Sequence, residues 1–352
     1  MCSLQQQYMH VGIIGAGAGA CATAYVLSNT TDAEITLLEK SGGVCGRAAT
    51  RRRDEITYDY GANYVKSKDK RVTELLTEQL DTAGLGEITD PIWVFDNDGE
   101  TAPGRESGPK RLTYEQGLTQ IGKRLLAETD ATVHRRTRIV SLAKSDTGWT
   151  ATDAERTDWG PFDLLVVTPP APQTTTLLEN TDWESETRAE LISLIDGVDY
   201  RTIWTAVLGY QFQLDRPYYG LVNPGKDHEI GWISREECKP GHVPDGQSVL
   251  IVQANHEWSQ RRYDDDPAAN VRALAEMTAE IIDDQRLTEP AWTDHQGWRY
   301  ALPEGGAPMG LLRSAEYDGL YFTGDWVAGE GRIHAALANG LETAERMVRT
   351  YW

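Results

Sequence analysis

The stretch that most constrains this 352-residue chain is a run of small residues near its start, Gly15-Ala16-Gly17-Ala18-Gly19-Ala20. Met9 to Ile14 before it is a short β-type run, and Ala24, Val26 and Leu27 after it continue a helical pattern. Strand, glycine turn and helix follow one another with the spacing GxGxxA. Gly15 permits a tight turn, Gly17 lets the backbone approach a bound group closely, and small Ala20 lets the helix pack on the strand. Ala18 begins a helix whose unpaired N–H groups and positive dipole end suit an anion. Glu34 to Leu38 reads as a second strand, and it ends in Glu39. An acid at that distance from the turn accepts hydrogen bonds from a ribose. Turn, helix and acid together predict a dinucleotide site.

Other classes are argued against by composition. The formal net charge is −20, with 9 lysines among 34 basic residues. Acid clusters such as Asp264-Asp265-Asp266 and Glu236-Glu237 are scattered along the chain. An anionic surface of this kind repels nucleic acid and acidic membranes. It also suits concentrated salt, where screening relieves self-repulsion, so a halophilic, cytoplasmic setting is the expectation. Cys2, Cys21, Cys45 and Cys238 form no CxxC pair, which indicates neither a zinc site nor a disulfide scaffold. Residues 1–10 contain no Lys or Arg, so no signal-peptide leader is expected. The apolar run 11–27 is too short and Gly-rich for a membrane span.

The segment after Glu39 bears on which dinucleotide is bound. Lys40-Ser41-Gly42-Gly43-Val44-Cys45-Gly46-Arg47 and Thr50 resemble the second glycine motif of the flavin amine oxidase superfamily. Gly46 bends the backbone toward the cofactor, and Arg47 offers a forked donor to a diphosphate. Asp59, Gly61, Ala62 and Tyr64 resemble that superfamily's D-x-G-A-x-Y/F segment, which runs past the flavin with Asn63 inside it. Near the other end, Gly319 to Thr323 reads as a strand leading into Gly324-Asp325. A helix rich in small residues follows Arg332, with Ile333 and Ala335 in its first turn. The resemblance implies that Asp325 reaches the ribityl chain or the pyrophosphate, and that this helix start faces the flavin's N1/O2 edge. Negative charge develops there on reduction.

Between these motifs Thr132 to Ser141 alternates as a strand containing Ile139, whose backbone lies against the adenine if the resemblance holds. Phe162 to Val167 is a buried strand stopped by Pro169 and Pro170. Residues 70–127 read as mostly helical, for example 72–80 and 118–128. Apolar runs at 202–210 and 248–254 suggest an antiparallel sheet. Residues 268–286 form an amphipathic helix with Leu274, Met277, Ile281 and Ile282 on one face. The expected fold is α/β, α+β overall. A discontinuous Rossmann-like FAD-binding domain takes residues 1–66, 128–172 and 303–352. A substrate domain on a mixed or antiparallel sheet plus helices takes 67–127 and 173–302.

Within the superfamily the chain is most similar to the renalase-like group, over nearly its whole length. The matching segments are 42–53, Trp232-Ile233-Ser234 with Lys239-Pro240-Gly241, 251–259 ending in Trp258-Ser259, Trp298-Arg299-Tyr300, and Gly324-Asp325 with Gly331-Arg332. The departures are Cys45 where a glycine is usual, Asn63 where Gln is usual, and Glu330-Gly331 for a Gly-Gly pair. Covalent flavin attachment in this superfamily needs a cysteine near the C-terminal motif, and the last here is Cys238, so non-covalent FAD is expected. The resemblance implies hydride transfer from isomeric dihydro-NAD(P) to flavin N5, with O2 as electron acceptor and H2O2 as product. That chemistry needs no base, in keeping with the lack of an evident catalytic triad or carboxylate pair. Tyr64, Trp232, Trp298 and Tyr300 are candidate aromatic walls for a flat substrate. Arg299 either steers an anionic substrate or makes a structural ion pair. His256 and His334 read as structural. Two alternatives stand beside this reading: an amine oxidase or desaturase acting on an amine, lipid or terpenoid, and a non-catalytic FAD-binding redox sensor.

Overall fold

The computed structural model describes residues 8–105 and 108–352. Cys2 and the reading of a leader over residues 1–7 lie outside them. Among the described residues no helix is long and apolar enough to cross a membrane. The chain packs as two units, residues 1–46, 121–199 and 303–352, and residues 47–120 and 200–302.

The first unit is built on five parallel strands in the order Thr132–Arg135, Glu34–Glu39, His10–Ile14, Leu164–Val167, Leu320–Phe322. Both faces of such a sheet are covered, so its inner strands are near-continuous apolar runs, whereas the edge strand Thr132–Arg135 is polar and partly exposed. Val11, Ile13, Leu37, Val166 and Val167 are accordingly sealed from solvent. The helix Ala18–Thr30 is built of small residues through Ala24, where it is buried, and turns polar at its exposed end, Asn29 and Thr30. The helix Ile333–Tyr351 packs against it at van der Waals distance: a methyl on Gly340 would run into the carbonyl oxygen of Gly19. Thr23 Oγ1 donates to Gly19 O (3.0 Å) and to Gly340 O (3.1 Å), stitching the two helices. A four-stranded sheet, ordered Asp158–Phe162, Gly148–Asp153, Ile139–Ser145, Thr181–Asp182, completes the unit with the helices Ala171–Glu179 and Glu186–Asp196.

The second unit carries a mixed seven-stranded sheet. Its order is Trp292–Pro303, Tyr200–Tyr210, Ser248–Ala254, Ile230–Arg235, Gly220–Val222, Ile92–Phe95, Thr101–Ala102. Most of the pairings are antiparallel, and Gly220–Val222 runs parallel to Ile92–Phe95. Alternation sorts the side chains. Trp204, Ala206, Leu208, Leu250 and Val252 enter a core with Leu274, Ile281 and Ile282 of the helix Pro267–Ile282. Val207, Val249 and Ile251 face the other way, against Ile56 and Tyr58 of the hairpin Thr50–Arg53/Ile56–Asp59.

Several expectations are corrected. The helical reading of 70–127 holds for Lys70–Glu74 and the turns after it, and again for Gln120–Ala127. Between them lie the strands Leu85–Glu87, Ile92–Phe95, Thr101–Ala102 and Arg111–Tyr114. Gly84, Gly99 and Gly117 adopt positive φ there and break the chain into short runs that only distant partners make into sheets. The strand read over 132–141 is two strands in two different sheets, separated at Arg136, whose φ is +58°. Packing also divides the units differently from the sequence boundaries: 47–66 joins the second unit, while 121–127 and 173–199 join the first. The hairpin 50–59 follows the sheet it covers, and the two helices after Pro170 stay with the strand they follow.

Candidate functional site

In the first unit the glycine turn is fixed before any ligand is considered. Gly15 N donates to Leu38 O (2.8 Å) and Cys45 N to Ala16 O (2.7 Å), with a parallel bridge from Gly17 to Cys45. Gly15 has φ +94°, a conformation that favours glycine. Glu39 holds this geometry from the side. Its Oε2 accepts from Ala16 N and its Oε1 from Ser41 N, both at 2.7 Å. A carboxylate has about four acceptor positions, so each oxygen retains capacity for a sugar hydroxyl. Thr137 N donates to Glu39 O and Arg136 N to Ser41 O, which brings the residues leading to Ile139 beside the acid.

The helix start is shaped for an anion. Gly17 is its N-cap and no side chain caps the first turn, while a Cβ placed on Gly17 meets nothing within 4 Å. First-turn N–H groups with open space before them, inside a buried turn, are what a diphosphate uses. The C-terminal motif arrives at the same place. A Cβ on Gly19 would lie 3.1 Å from Ala336 O and 3.4 Å from Gly324 Cα. Gly324 N and Thr323 Oγ1 both donate to Asn339 Oδ1. The helix Ile333–Tyr351, with Arg332 as N-cap and Ala335 nearly buried, is likewise uncapped by a side chain. Asp325 is 6% exposed, and its Oδ1 accepts from Trp326 N. Gly15, Gly17, Ala18, Ala20, Glu39, Gly46, Gly324, Asp325, Arg332, Ile333 and Ala335 all belong to this unit. Lys40 turns to the surface and donates to Gln173 Oε1 (3.0 Å). The glycine turn, the start of the helix Ala18–Thr30 and Glu39 fit the adenosine diphosphate half of a dinucleotide.

In the second unit Arg47 is anchored by one of its nitrogens. Its Nη1 donates to Tyr300 O (3.2 Å) and Ala301 O (3.0 Å), which ties the segment to a strand. Gly61 is pressed on the Arg47 carbonyl with no room for a methyl, and Ala62 N donates to Arg47 O (3.0 Å). Asn63 anchors the segment at its other end. Its Oδ1 accepts from Ser234 Oγ (3.2 Å) and its Nδ2 donates to Gln253 Oε1 (3.4 Å). Gln253 Nε2 in turn donates to Gly61 O (2.8 Å).

Around this segment lie aromatic rings. Tyr64, Tyr219 and Trp232 form a triangle with centroids 6.0–6.3 Å apart. Trp298 stacks on Tyr60 at 5.4 Å and donates from Nε1 to Tyr60 O. Tyr300 meets Tyr200 edge to face. Arg299 lies over Tyr263 and 3.6 Å from Asp264, an exposed pair, which is the structural alternative among its two readings. His256 Nδ1 accepts from Thr202 N, also a structural part.

Behind the segment is a cluster that the sequence did not disclose. Lys239 Nζ lies 2.9 Å from Asp59 Oδ2 and 2.8 Å from Glu236 Oε1, and all three side chains are fully buried. His242 Nδ1 lies 2.8 Å from Glu236 Oε2 and its Nε2 2.9 Å from Tyr114 O. Asp59 Oδ1 also accepts from Thr50 Oγ1 and Leu118 N. Despite its burial Glu236 is held below the usual carboxylate range, because the Lys239 ammonium and the His242 ring face it. The carboxylates of Asp59 and Glu236 push Lys239 above the ordinary amine range. Asp59, Glu236 and His242 are close enough to hold a metal ion among the described residues, but the chain's own ammonium lies between the two acids.

Comparison with known proteins agrees with this construction. Residues 13–79 match the family model of the NAD(P)-binding Rossmann-like domain, and residues 90–348 that of the flavin containing amine oxidoreductases. Among solved structures the fold is similar to a protein assigned as a protoporphyrinogen oxidase from Exiguobacterium sp. 255-15 (TM-score 0.79, 14% identity, 98% of this chain and 99% of that one). It is also similar to reduced UDP-galactopyranose mutase (0.77, 12%, 97% and 96%) and to cyclohexylamine oxidase from Brevibacterium oxydans IH-35A (0.75, 13%, 98% and 99%). At such identities these likenesses speak for the fold alone. The family match, spanning most of the chain, speaks for more: the protein is a flavin-dependent oxidoreductase and belongs to the flavin containing amine oxidoreductase family.

Proposed function

We propose that this protein is a renalase-like oxidase: it holds FAD non-covalently and oxidises isomeric dihydro-NAD(P) to NAD(P)+, with O2 and a proton consumed and H2O2 released. The observation that carries the substrate class is the surface of Tyr64, Trp232, Asn63 and Gln253, which offers rings and neutral amides. The two acids beside it in sequence, Asp59 and Glu236, are buried and engaged by Lys239. That surface suits a flat neutral ring better than an ammonium group, which seeks a carboxylate once desolvated. A bound flavin would supply the hydride acceptor. The residues of this chain then orient the ring and exclude water, and no side chain need abstract a proton. Non-covalent binding is supported by the sequence around Gly324-Asp325, which has no cysteine between Cys238 and the C-terminus. The charge of −20 supports a cytoplasm rich in salt.

The test is anaerobic mixing of the yellow protein with the 2- and 6-dihydro isomers of NAD(P), following loss of the flavin band. Rapid bleaching by either isomer is expected. Bleaching by a simple amine such as cyclohexylamine, with both isomers inert, would replace this reading with an amine oxidase. Bleaching by neither would favour the redox sensor. Acid precipitation should release the colour into the supernatant, and phosphodiesterase should convert it to FMN. Colour retained in the pellet would contradict non-covalent attachment.

A further inference from the structure

We propose that Gln253 is a specificity-determining residue that reads a neutral, planar donor–acceptor group, a carboxamide, on the substrate. The proposal rests on the reading above for its choice of ligand and on the second unit's own geometry for the residue. In register, Gln253 stands opposite Trp232 on one neighbouring strand and opposite Thr205 on the other, so the three side chains share one face of the sheet. Gln253 interrupts a strand of otherwise apolar or small residues, Ser248–Ala254. A polar side chain in such a strand is kept where its hydrogen bonds are met.

Its amide is fixed in direction. Nε2 donates to Gly61 O (2.8 Å) and Oε1 accepts from Asn63 Nδ2 (3.4 Å), while Asn63 Oδ1 is itself fixed by Ser234. A primary amide has two N–H groups and two acceptor positions. One of each on Gln253 is engaged in these bonds, which leaves one N–H and one lone pair on a side chain that is part-exposed. Those two are complementary to the C=O and N–H of a second primary amide. On both sides of Gln253 the row has unmet capacity: Trp232 Nε1 and Thr205 Oγ1 are buried without a hydrogen-bond partner. Each such group costs about 1–3 kcal/mol; Thr205 is fully buried, so a ligand would meet the row at the part-exposed Gln253 and Trp232. A carboxylate on the ligand would meet the lone pairs of Gln253 Oε1, and the Lys239 ammonium is engaged by Asp59 and Glu236.

The experiment is calorimetric titration of the flavin-loaded protein with nicotinamide, 3-acetylpyridine and nicotinate. These share a ring and differ only in the group to be read. Nicotinamide should bind the wild type about tenfold more tightly than 3-acetylpyridine, with nicotinate weaker still. In Gln253→Met that preference should fall to within about twofold, because both ligands lose the same partner. Absence of nicotinamide binding, equal binding of all three ligands, or a preference that survives in Gln253→Met would overturn the assignment. If the variant loses flavin absorbance or its melting transition, the wild-type ligand series decides alone. Failure is separable from failure of the functional reading. Flavin reduction by a dihydro isomer with a flat ligand series removes only the subsite. A nicotinamide preference lost in Gln253→Met, with both isomers inert, removes only the oxidase assignment.

Discussion

At Cys45 a residue other than glycine keeps a glycine's backbone. The superfamily pattern has glycine there; this chain has cysteine at φ +74° and still makes the bond from Cys45 N to Ala16 O. A strained position of this sort costs about 1–3 kcal/mol and is kept where its surroundings fix it. The turn was legible because such local geometry demands particular residue types, Gly15 for the tight turn and Gly17 for close approach; the sequence marks Glu39 only as a ribose acceptor, and its hold on Ala16 N and Ser41 N belongs to the fold. The buried group of Asp59, Glu236, Lys239 and His242 was not. Its members are common ionisable residues, Lys239 lying 180 positions after Asp59, and nothing local marks them as partners. Lys239→Met should leave two acids buried without their cation and cost about 3–5 kcal/mol in denaturant unfolding. The pH dependence has two sides. Glu236, lowered in the fold, contributes fully above its unfolded value of 4.5 and less as pH falls through its folded value. Lys239, raised in the fold, contributes fully below its unfolded value of 10.5 and less as pH rises through its folded value. The gap between wild type and variant should therefore be flat between these limits and narrow in acid. A gap that widens in acid would contradict the ion-pair account.

Among elements, those with an internal period were legible and those made by distant pairing were not. Strand His10–Ile14, helix Pro267–Ile282 and strands Tyr200–Tyr210 and Ser248–Ala254 follow from their own side chains. Ile92–Phe95 is a strand because Gly220–Val222 lies parallel to it, a partner about 130 residues away in sequence that no local pattern reveals. Gln253 escaped notice for a related reason, since its meaning comes from the rows beside it. The contact between helices Ala18–Thr30 and Ile333–Tyr351 yields a paired test. Gly340→Ala raises helix propensity by about 0.8–1.0 kcal/mol in isolation. Here it forces the methyl into Gly19 O and should lower stability by about 1–3 kcal/mol, with weaker flavin retention, because Gly19 lies in the first turn beside Gly324. Gly310→Ala, with open space around it, should leave stability unchanged or slightly higher. Equal effects of the two substitutions in thermal melts would refute the close-contact argument.

On the scale of the whole molecule, the charge of −20 spread over both units makes folding sensitive to ionic strength. Raising KCl from about 0.1 to 1 M shortens the Debye length from roughly 10 to 3 Å and should raise the melting temperature steadily. A flat or falling response would remove the salt-adapted reading. The chain crosses between the units at 46/47, 120/121, 199/200 and 302/303, so neither is a contiguous piece of sequence. The helix that closes the glycine turn, Ile333–Tyr351, is bonded to a residue 317 positions earlier. On a ribosome adding about 5–20 residues per second, the first helix would wait roughly 15–60 s for that partner. Throughout this interval the side of the first helix that Ile333–Tyr351 covers stays bare, and Gly19 lacks its neighbours Gly324, Ala336 and Gly340. The pairing of these two helices is thereby placed after Ile333–Tyr351 has left the exit tunnel.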